Sequence, residues 1–458
     1  MNYSITKDSG VPAYIQLYNY LVQDIVAGIY PLDSRLPSKR IIAEETGVSL
    51  ITVEHTMNLL SDEGYIETRQ RSGYFVIYRE ADFQVIPEIR REELPVTHPQ
   101  AHQTGEFPFS VLARTMRKVL LDYEEQILVK SPNHGCDELR TEICSYLGRS
   151  RGIQIHPRQV IIGSGAEYLY GLVAQFFGAG CIFGIENPSY EKIRKVYESM
   201  GIVCDPLTLS TEGILSSELT RTKASVLHVT PFNSYPSGIT IGISQKREYL
   251  YWAKQRNAVI VEDNYDSELT VSSKPESPLF SIADGVNVIY MNTFSKTIAP
   301  SIRISYMVLP HRLLAAFREK LGFYASTVSG FEQYTLARFM AEGYYEKHLN
   351  RMRKRYHQKR DAVIACIRGG PLAERARITE EDAGLHFLMT LDTTLPDGVL
   401  RRRAAQRGLR LAMLSEYYND PDDAPPHVLV VNYSGIDIEK LPRALARLAE
   451  IGEEQDHA

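Results

Sequence analysis

Cysteine is scarce in this chain of 458 residues. Cys136, Cys144, Cys181, Cys204 and Cys366 are scattered without metal-ligand or C-x-x-C spacing, so the expectation is free thiols in a reducing compartment and no metal site. No apolar run approaches the roughly 18 residues that a membrane-crossing helix needs. The first residues are polar rather than basic and then apolar, unlike a secretory signal. Internal repeats and low-complexity tracts are also missing. These absences set aside membrane, secreted disulfide-rich and solenoid classes, and a cytoplasmic location is expected. The 44% hydrophobic and 23% charged residues that are present suit a globular protein too long for one core, so two or three units are expected.

The chain is organised around residues 288–303. An apolar run, Val288–Met291, leads into Asn292-Thr293-Phe294-Ser295-Lys296-Thr297, with Pro300 and then Arg303 following. This reads as a buried strand ending in a small polar turn. A lone lysine in a Ser/Thr loop is usually a surface lysine, but this one has company. The strand Ala258–Val261 runs into Glu262-Asp263-Asn264-Tyr265, Val226–Thr230 runs into a Pro/Gly loop containing Asn233 and Tyr235, and Val160–Ile162 runs into Gly163-Ser164-Gly165-Ala166-Glu167. A lysine amine can form a Schiff base, Thr293 and Ser295 offer short donors, and Arg303 offers a fork for phosphate oxygens. A buried carboxylate such as Asp263 keeps a pyridinium protonated, a phenol such as Tyr265 tunes the ring oxygen, and a glycine turn into a helix suits phosphate. Pyridoxal 5'-phosphate carries all of these groups.

From about Phe107 onward the chain resembles a fold-type I aminotransferase domain. Its Thr-Phe-Ser-Lys-Thr-Ile-Ala-Pro and Glu-Asp-Asn-Tyr-Asp-Ser-Glu segments are similar to the MocR/GabR subfamily of GntR-type regulators. The resemblance implies that Lys296 forms the internal aldimine, that Asp263 faces the pyridinium and that Tyr265 meets the ring hydroxyl. It likewise makes Ser295 and Arg303 phosphate ligands, Gly165, Ala166 and Glu167 the phosphate-binding helix start, and Tyr190 the aromatic over the ring. Asn233, Tyr235 and Thr293 complete the expected cofactor-binding set.

Residues 1–78 form a separate unit. Leu17, Leu21 and Ile25 recur at helical spacing after Pro12, Ser38 and Ser49 cap two further helices, and Val53, Met57 and Leu60 point inward in the second of these. Two short strands around Gln70–Gly73 follow, giving a winged helix-turn-helix. Leu36-Pro37-Ser38, Gly47-Val48-Ser49, Glu63-Gly64-Tyr65 and Ser72-Gly73-Tyr74-Phe75-Val76 resemble the GntR DNA-binding domain. The candidate contacts to double-stranded DNA are Ser38, Lys39, Arg40, Ser49, Thr52, His55, Arg69 and Arg71. Acids outnumber bases here, so any positive footprint is local. Residues 79–106 read as a linker and 107–458 as an α/β aminotransferase-like domain with a mainly parallel sheet, helices on both faces and a small α+β subdomain from about residue 338. The basic run Arg351–Arg360 reads as a solvated helix face.

Departures from the family bear on chemistry. Where aminotransferases place an arginine for the substrate α-carboxylate, this chain has Val428-Leu429-Val430-Val431-Asn432. Lys192 is the cation that could stand in, and Lys130 occupies the place of a residue reaching a neighbouring subunit's phosphate. Leu50 follows Ser49 where the family often has arginine, and Asn233 stands where the subfamily often has histidine. The expectation is a homodimeric regulator rather than an enzyme, whose winged helices dock on the partner subunit in a domain-swapped arrangement, and which senses pyridoxal phosphate or its adduct with an amine or amino acid. A working aminotransferase carrying a DNA-binding domain is the alternative.

Overall fold

The computed structural model describes residues 3–6, 10–70, 72–79, 107–269, 277–382 and 384–453. The chain divides into two compact units, residues 1–100 and 101–458. The greater part of the expected linker lies outside the described residues.

In the first unit, α1 (Ala13–Val26) buries Leu17, Leu21 and Ile25, one stripe at four-residue spacing. The Ser38 side chain accepts the Ile41 N–H to start α2 (Lys39–Thr46), which Gly47 ends at a φ of 67°. Ser49 accepts the Thr52 N–H at 3.1 Å to start α3 (Leu50–Asp62), whose Val53, Met57 and Leu60 close the core. Strands β1 (Ile66–Arg69) and β2 (Gly73–Val76) pair antiparallel as the wing.

The second unit contains β3 (Val160–Gly163), β4 (Ile182–Asn187), β5 (Val203–Ser210), β6 (Gly213–Ile214), β7 (Val226–Val229), β8 (Val259–Asp263), β9 (Asn287–Thr293) and β10 (Ser305–Val308). They form one sheet in the order β3-β10-β9-β8-β7-β4-β5-β6. Strands β9, β8, β7, β4 and β5 are parallel, while β10 runs antiparallel to both its neighbours and β6 antiparallel to β5. The sheet is mainly parallel, as expected, and is made mixed by the reversed strands β10 and β6. Only residues 294–304 separate β9 from β10, fewer than a parallel crossover requires, so the chain turns back on itself there.

Period-two alternation divides the core. Val160, Ile162, Tyr290 and Tyr306 pack on one face with the helices Asp137–Arg151 and Gly330–Ala341, and Ile161, Met291 and Met307 pack on the other with the helix Ala166–Phe177. Strands β11 (Ala376–Thr379), β12 (His386–Leu391) and β13 (Val428–Asn432) make a three-stranded antiparallel sheet with its own core. The basic run lies in the helix Tyr344–Arg368, with Arg351, Lys354 and Arg355 exposed, as a solvated face should be.

Candidate cofactor site

In a doubly wound sheet the crevice beyond the carboxyl ends of the parallel strands collects ligands. The ends of β4, β7, β8 and β9 carry Tyr190, Asn233, Asp263 and Lys296 respectively. Register brings the phosphate end together. Ser305 at the start of β10 pairs with Gly163 on one side and Thr293 on the other, so the helix start after β3 and the lysine turn after β9 flank one strand, with Arg303 two residues before it.

That end fits a phosphate. Gly165 caps the helix Ala166–Phe177 with a φ of 99° and no side-chain bond to its free amides. A Cβ at Gly165 would lie 2.4 Å from the Arg303 guanidinium, so only glycine admits that close approach. Arg303 donates to Glu167 at 2.6 Å, and Lys192 donates to the same carboxylate at 2.9 Å. Burial works against the charge on Glu167, but these two cations outweigh it and lower its pKa to about 2. Two cations against one carboxylate leave a net positive helix start. In the lysine turn the Ser295 hydroxyl oxygen is buried with no hydrogen-bond partner, as suits a group that would donate to a phosphate. Thr293 has a different task. Its hydroxyl donates to the Ile304 carbonyl at 3.3 Å and accepts the Ser295 N–H at 3.2 Å, shaping the turn.

The ring end is organised around Asp263, which is 3% exposed. Tyr170, from the phosphate helix, donates a short hydrogen bond to its carboxylate. His228 Nε2 lies 3.7 Å from the same oxygen and has no hydrogen-bond partner, while its Nδ1 meets the Tyr197 hydroxyl at 2.7 Å. Burial, reinforced by the charge of Asp263, holds the Tyr170 and Tyr197 phenols protonated well beyond their ordinary range. The carboxylate is thus fixed in place and left able to accept from a ring N–H.

Next to it, Tyr265 donates to the Asn233 carbonyl at 3.1 Å, and the Asn233 amide donates to Asp266 at 3.2 Å. Asn233 holds a left-handed φ of 48°. Burial pushes the Asp266 carboxyl up to about 8 even though the Asn233 bond and the Lys296 charge pull it down. The Lys296 charge also reaches His386, whose pKa burial lowers to about 4 and which bonds the Pro236 carbonyl at 3.1 Å. Lys296 itself is exposed. Tyr190 stands edge-on to Tyr235 at 6.2 Å between centroids, and Tyr235 shares a 2.7 Å hydroxyl contact with Tyr417.

Lys192, the expected stand-in for a carboxylate clamp, pairs with Glu167 at the phosphate end. Val428 and Val430 instead pack with Leu388, Leu414, Tyr235 and Tyr417 in a buried apolar cluster. Lys130 is exposed. Sequence reasoning missed Tyr170, Tyr197, His228 and Asp266. A histidine inside the apolar strand Val226–Val229 was a usable signal for the third of these.

In the winged helix, several candidate DNA contacts are already engaged. Ser38 and Ser49 are helix caps, and Thr52 shares a hydroxyl contact with Ser49 at 2.9 Å. Lys39 pairs with Glu54 at 2.6 Å, and Arg69 pairs with Asp33 and Glu67 at 2.7 Å each. His55 packs edge-on against Tyr14, and Arg40 is exposed. Arg71 lies outside the described residues.

Comparison with known proteins agrees with both halves. Residues 103–419 match the aminotransferase class I and II family, and residues 13–76 match the bacterial regulatory proteins of the gntR family. The chain is 33% identical to the uncharacterised HTH-type transcriptional regulator YdeL of Bacillus subtilis over 97% of each chain. It is 31% identical to the probable rhizopine catabolism regulatory protein MocR of Rhizobium meliloti, over 94% of this chain and 92% of that one. The pyridoxine biosynthesis regulator PdxR of Corynebacterium glutamicum is 25% identical over 95% of each. Among solved structures, Pyrococcus horikoshii kynurenine aminotransferase superposes with a TM-score of 0.69 at 24% identity, over 78% of this chain and 89% of that one. Fold and site together define a gntR-type winged helix joined to a fold-type I, pyridoxal phosphate-binding aminotransferase domain. The chain belongs to the MocR-type HTH transcriptional regulators.

Proposed function

We propose that this protein is a homodimeric, one-component transcription regulator that binds operator DNA through α3 and the wing and senses pyridoxal phosphate, alone or combined with a small amine. Bound, the cofactor supplies an aldehyde that reacts reversibly with primary amines. Lys296 provides the protein's own amine for it. The helix amides at Gly165–Glu167, the Ser295 hydroxyl and Arg303 would hold its phosphate, Asp263 would keep a proton at its ring nitrogen, and Tyr190 would pack on its ring. Tyr170 and His228 position Asp263. Tyr265 and Asn233 border the ring oxygen.

The observation that carries the regulatory reading is the contrast inside one cleft. Its phosphate end gathers Arg303, Glu167 and the Gly165 helix start, whereas β13, where aminotransferases place an arginine for the substrate carboxylate, carries Val428 and Val430 in a buried apolar cluster. A bidentate arginine fork is not replaced by valine. The relatives support the same reading, since PdxR is named for control of pyridoxine biosynthesis and MocR for probable control of rhizopine catabolism. A C2 dimer presents two reading heads to a two-part operator.

Titrating pyridoxal phosphate into the purified protein while following absorbance and retention of a promoter fragment tests this. Cofactor-dependent DNA affinity with little or no turnover of amino acid and keto acid is the expected result. Rapid multiple turnover together with DNA binding indifferent to cofactor would reverse it.

A further inference from the structure

A winged helix offers base edges the outward side of the first turns of its recognition helix. In this chain the outward residues of the first turn of α3 are aliphatic. Leu50 is 51% exposed and Ile51 is 75% exposed, the most of any large apolar residue among the described residues of the winged-helix unit. Their neighbours Val53 and Met57 are fully buried, so the helix already has its core face and these two are additional to it. Core formation gives no reason for them.

The surrounding polar groups are largely spent on the fold. Ser49 and Thr52 are tied to each other and to the helix start, Glu54 is neutralised by Lys39, the Lys39 ammonium also lies over the Tyr74 ring at 5.5 Å, and His55 leans on Tyr14. At the front of α3 two aliphatic side chains therefore stand where a cation would hydrogen-bond a guanine edge. The major groove has one apolar group on its base edges, the C5 methyl of thymine.

We infer that Leu50 and Ile51 are specificity-determining residues that read thymine methyl groups in each operator half-site. Discrimination then comes from apolar area removed from water, and affinity from backbone contacts elsewhere on the domain. This rests on the reading of the first unit as a DNA-binding head.

The test uses the full-length, cofactor-loaded protein. Duplexes selected from a random pool are expected to share thymine at one position or two adjacent positions of each half-site. Replacing those thymines by deoxyuridine removes only the methyl, and each replacement should weaken binding about fourfold, the factor that corresponds to burial of one methyl-sized group. In Leu50→Ala and Ile51→Ala proteins, checked for fold by circular dichroism, thymine and deoxyuridine duplexes should bind alike. Selected sites without thymine, or deoxyuridine duplexes bound as tightly as thymine duplexes by the unaltered protein, overturn the inference while leaving the DNA-binding reading intact. Failure to retain any duplex, specific or not, overturns both.

Discussion

The two ends of the cofactor cleft are built from opposite materials. At one end Arg303 and Lys192 both pair with Glu167 at the start of the helix that Gly165 caps, and the Ser295 hydroxyl is buried without a partner. At the other, β13 contributes Val428 and Val430 to a cluster closed by Leu388, Leu414 and three tyrosines. The first end fits a phosphorylated ring, and on β13 the second offers valine where aminotransferases place an arginine. A charge left unpaired beside such a cluster forfeits roughly 1.5–3 kcal/mol per charge-assisted hydrogen bond. On the reading proposed above, this asymmetry separates cofactor binding from amino-acid turnover, two properties that an aminotransferase keeps together.

The comparison breaks most completely at Lys296. Borohydride reduction of the cofactor-loaded protein, followed by peptide mapping, should place the label on Lys296 alone, and Lys296→Ala should abolish it. Label on another lysine would mean that the turn after β9 is not the reactive centre.

A smaller effect sharpens the contrast from the other end. Val430→Arg should raise affinity for amino acids, read as spectral change of the bound cofactor, by about one decade or more for each hydrogen bond gained, at about 1.4 kcal/mol per decade. The added bulk should lower the melting temperature, because Val430 is 5% exposed and has no room for a guanidinium without repacking. Unchanged amino-acid affinity in a folded variant would remove β13 from the account of specificity.

The smallest effect concerns pH. Asp266 has its carboxyl raised from 3.8 to about 8 by burial. The native state therefore keeps a proton that the unfolded chain releases as pH rises above the ordinary carboxylate value. Stability from this group is full at low pH and is lost progressively up to about pH 8, with a limiting slope of about 1.4 kcal/mol per pH unit. Glu186, also raised to about 8, adds in the same direction. Denaturant titration of the cofactor-free protein should show a shallower fall in stability between pH 5 and 8 for Asp266→Asn than for the unaltered protein. Identical slopes would mean that Asp266 is ionised in the native state.

Much of this molecule was legible in one dimension. Helix starts at Ser38 and Ser49, the inward stripe of α1, the strand preceding each site residue and the Ser-Lys turn are local patterns. They depend on periodicities and caps that operate within about one helical turn or strand. The missing arginine near Val430 could likewise be read directly. The sheet's mixed character followed from a short connection, yet the expectation of a mainly parallel sheet missed the reversal at β10. What only the tertiary structure decided were the pairings across long separations. Tyr170 reaches Asp263 across 93 positions, Tyr197 reaches His228 across 31, and Lys192 reaches Glu167 across 25. No local pattern encodes such meetings. They arise because strand order and helix packing bring distant side chains to one point, where burial and neighbouring charge decide which of them keep a proton.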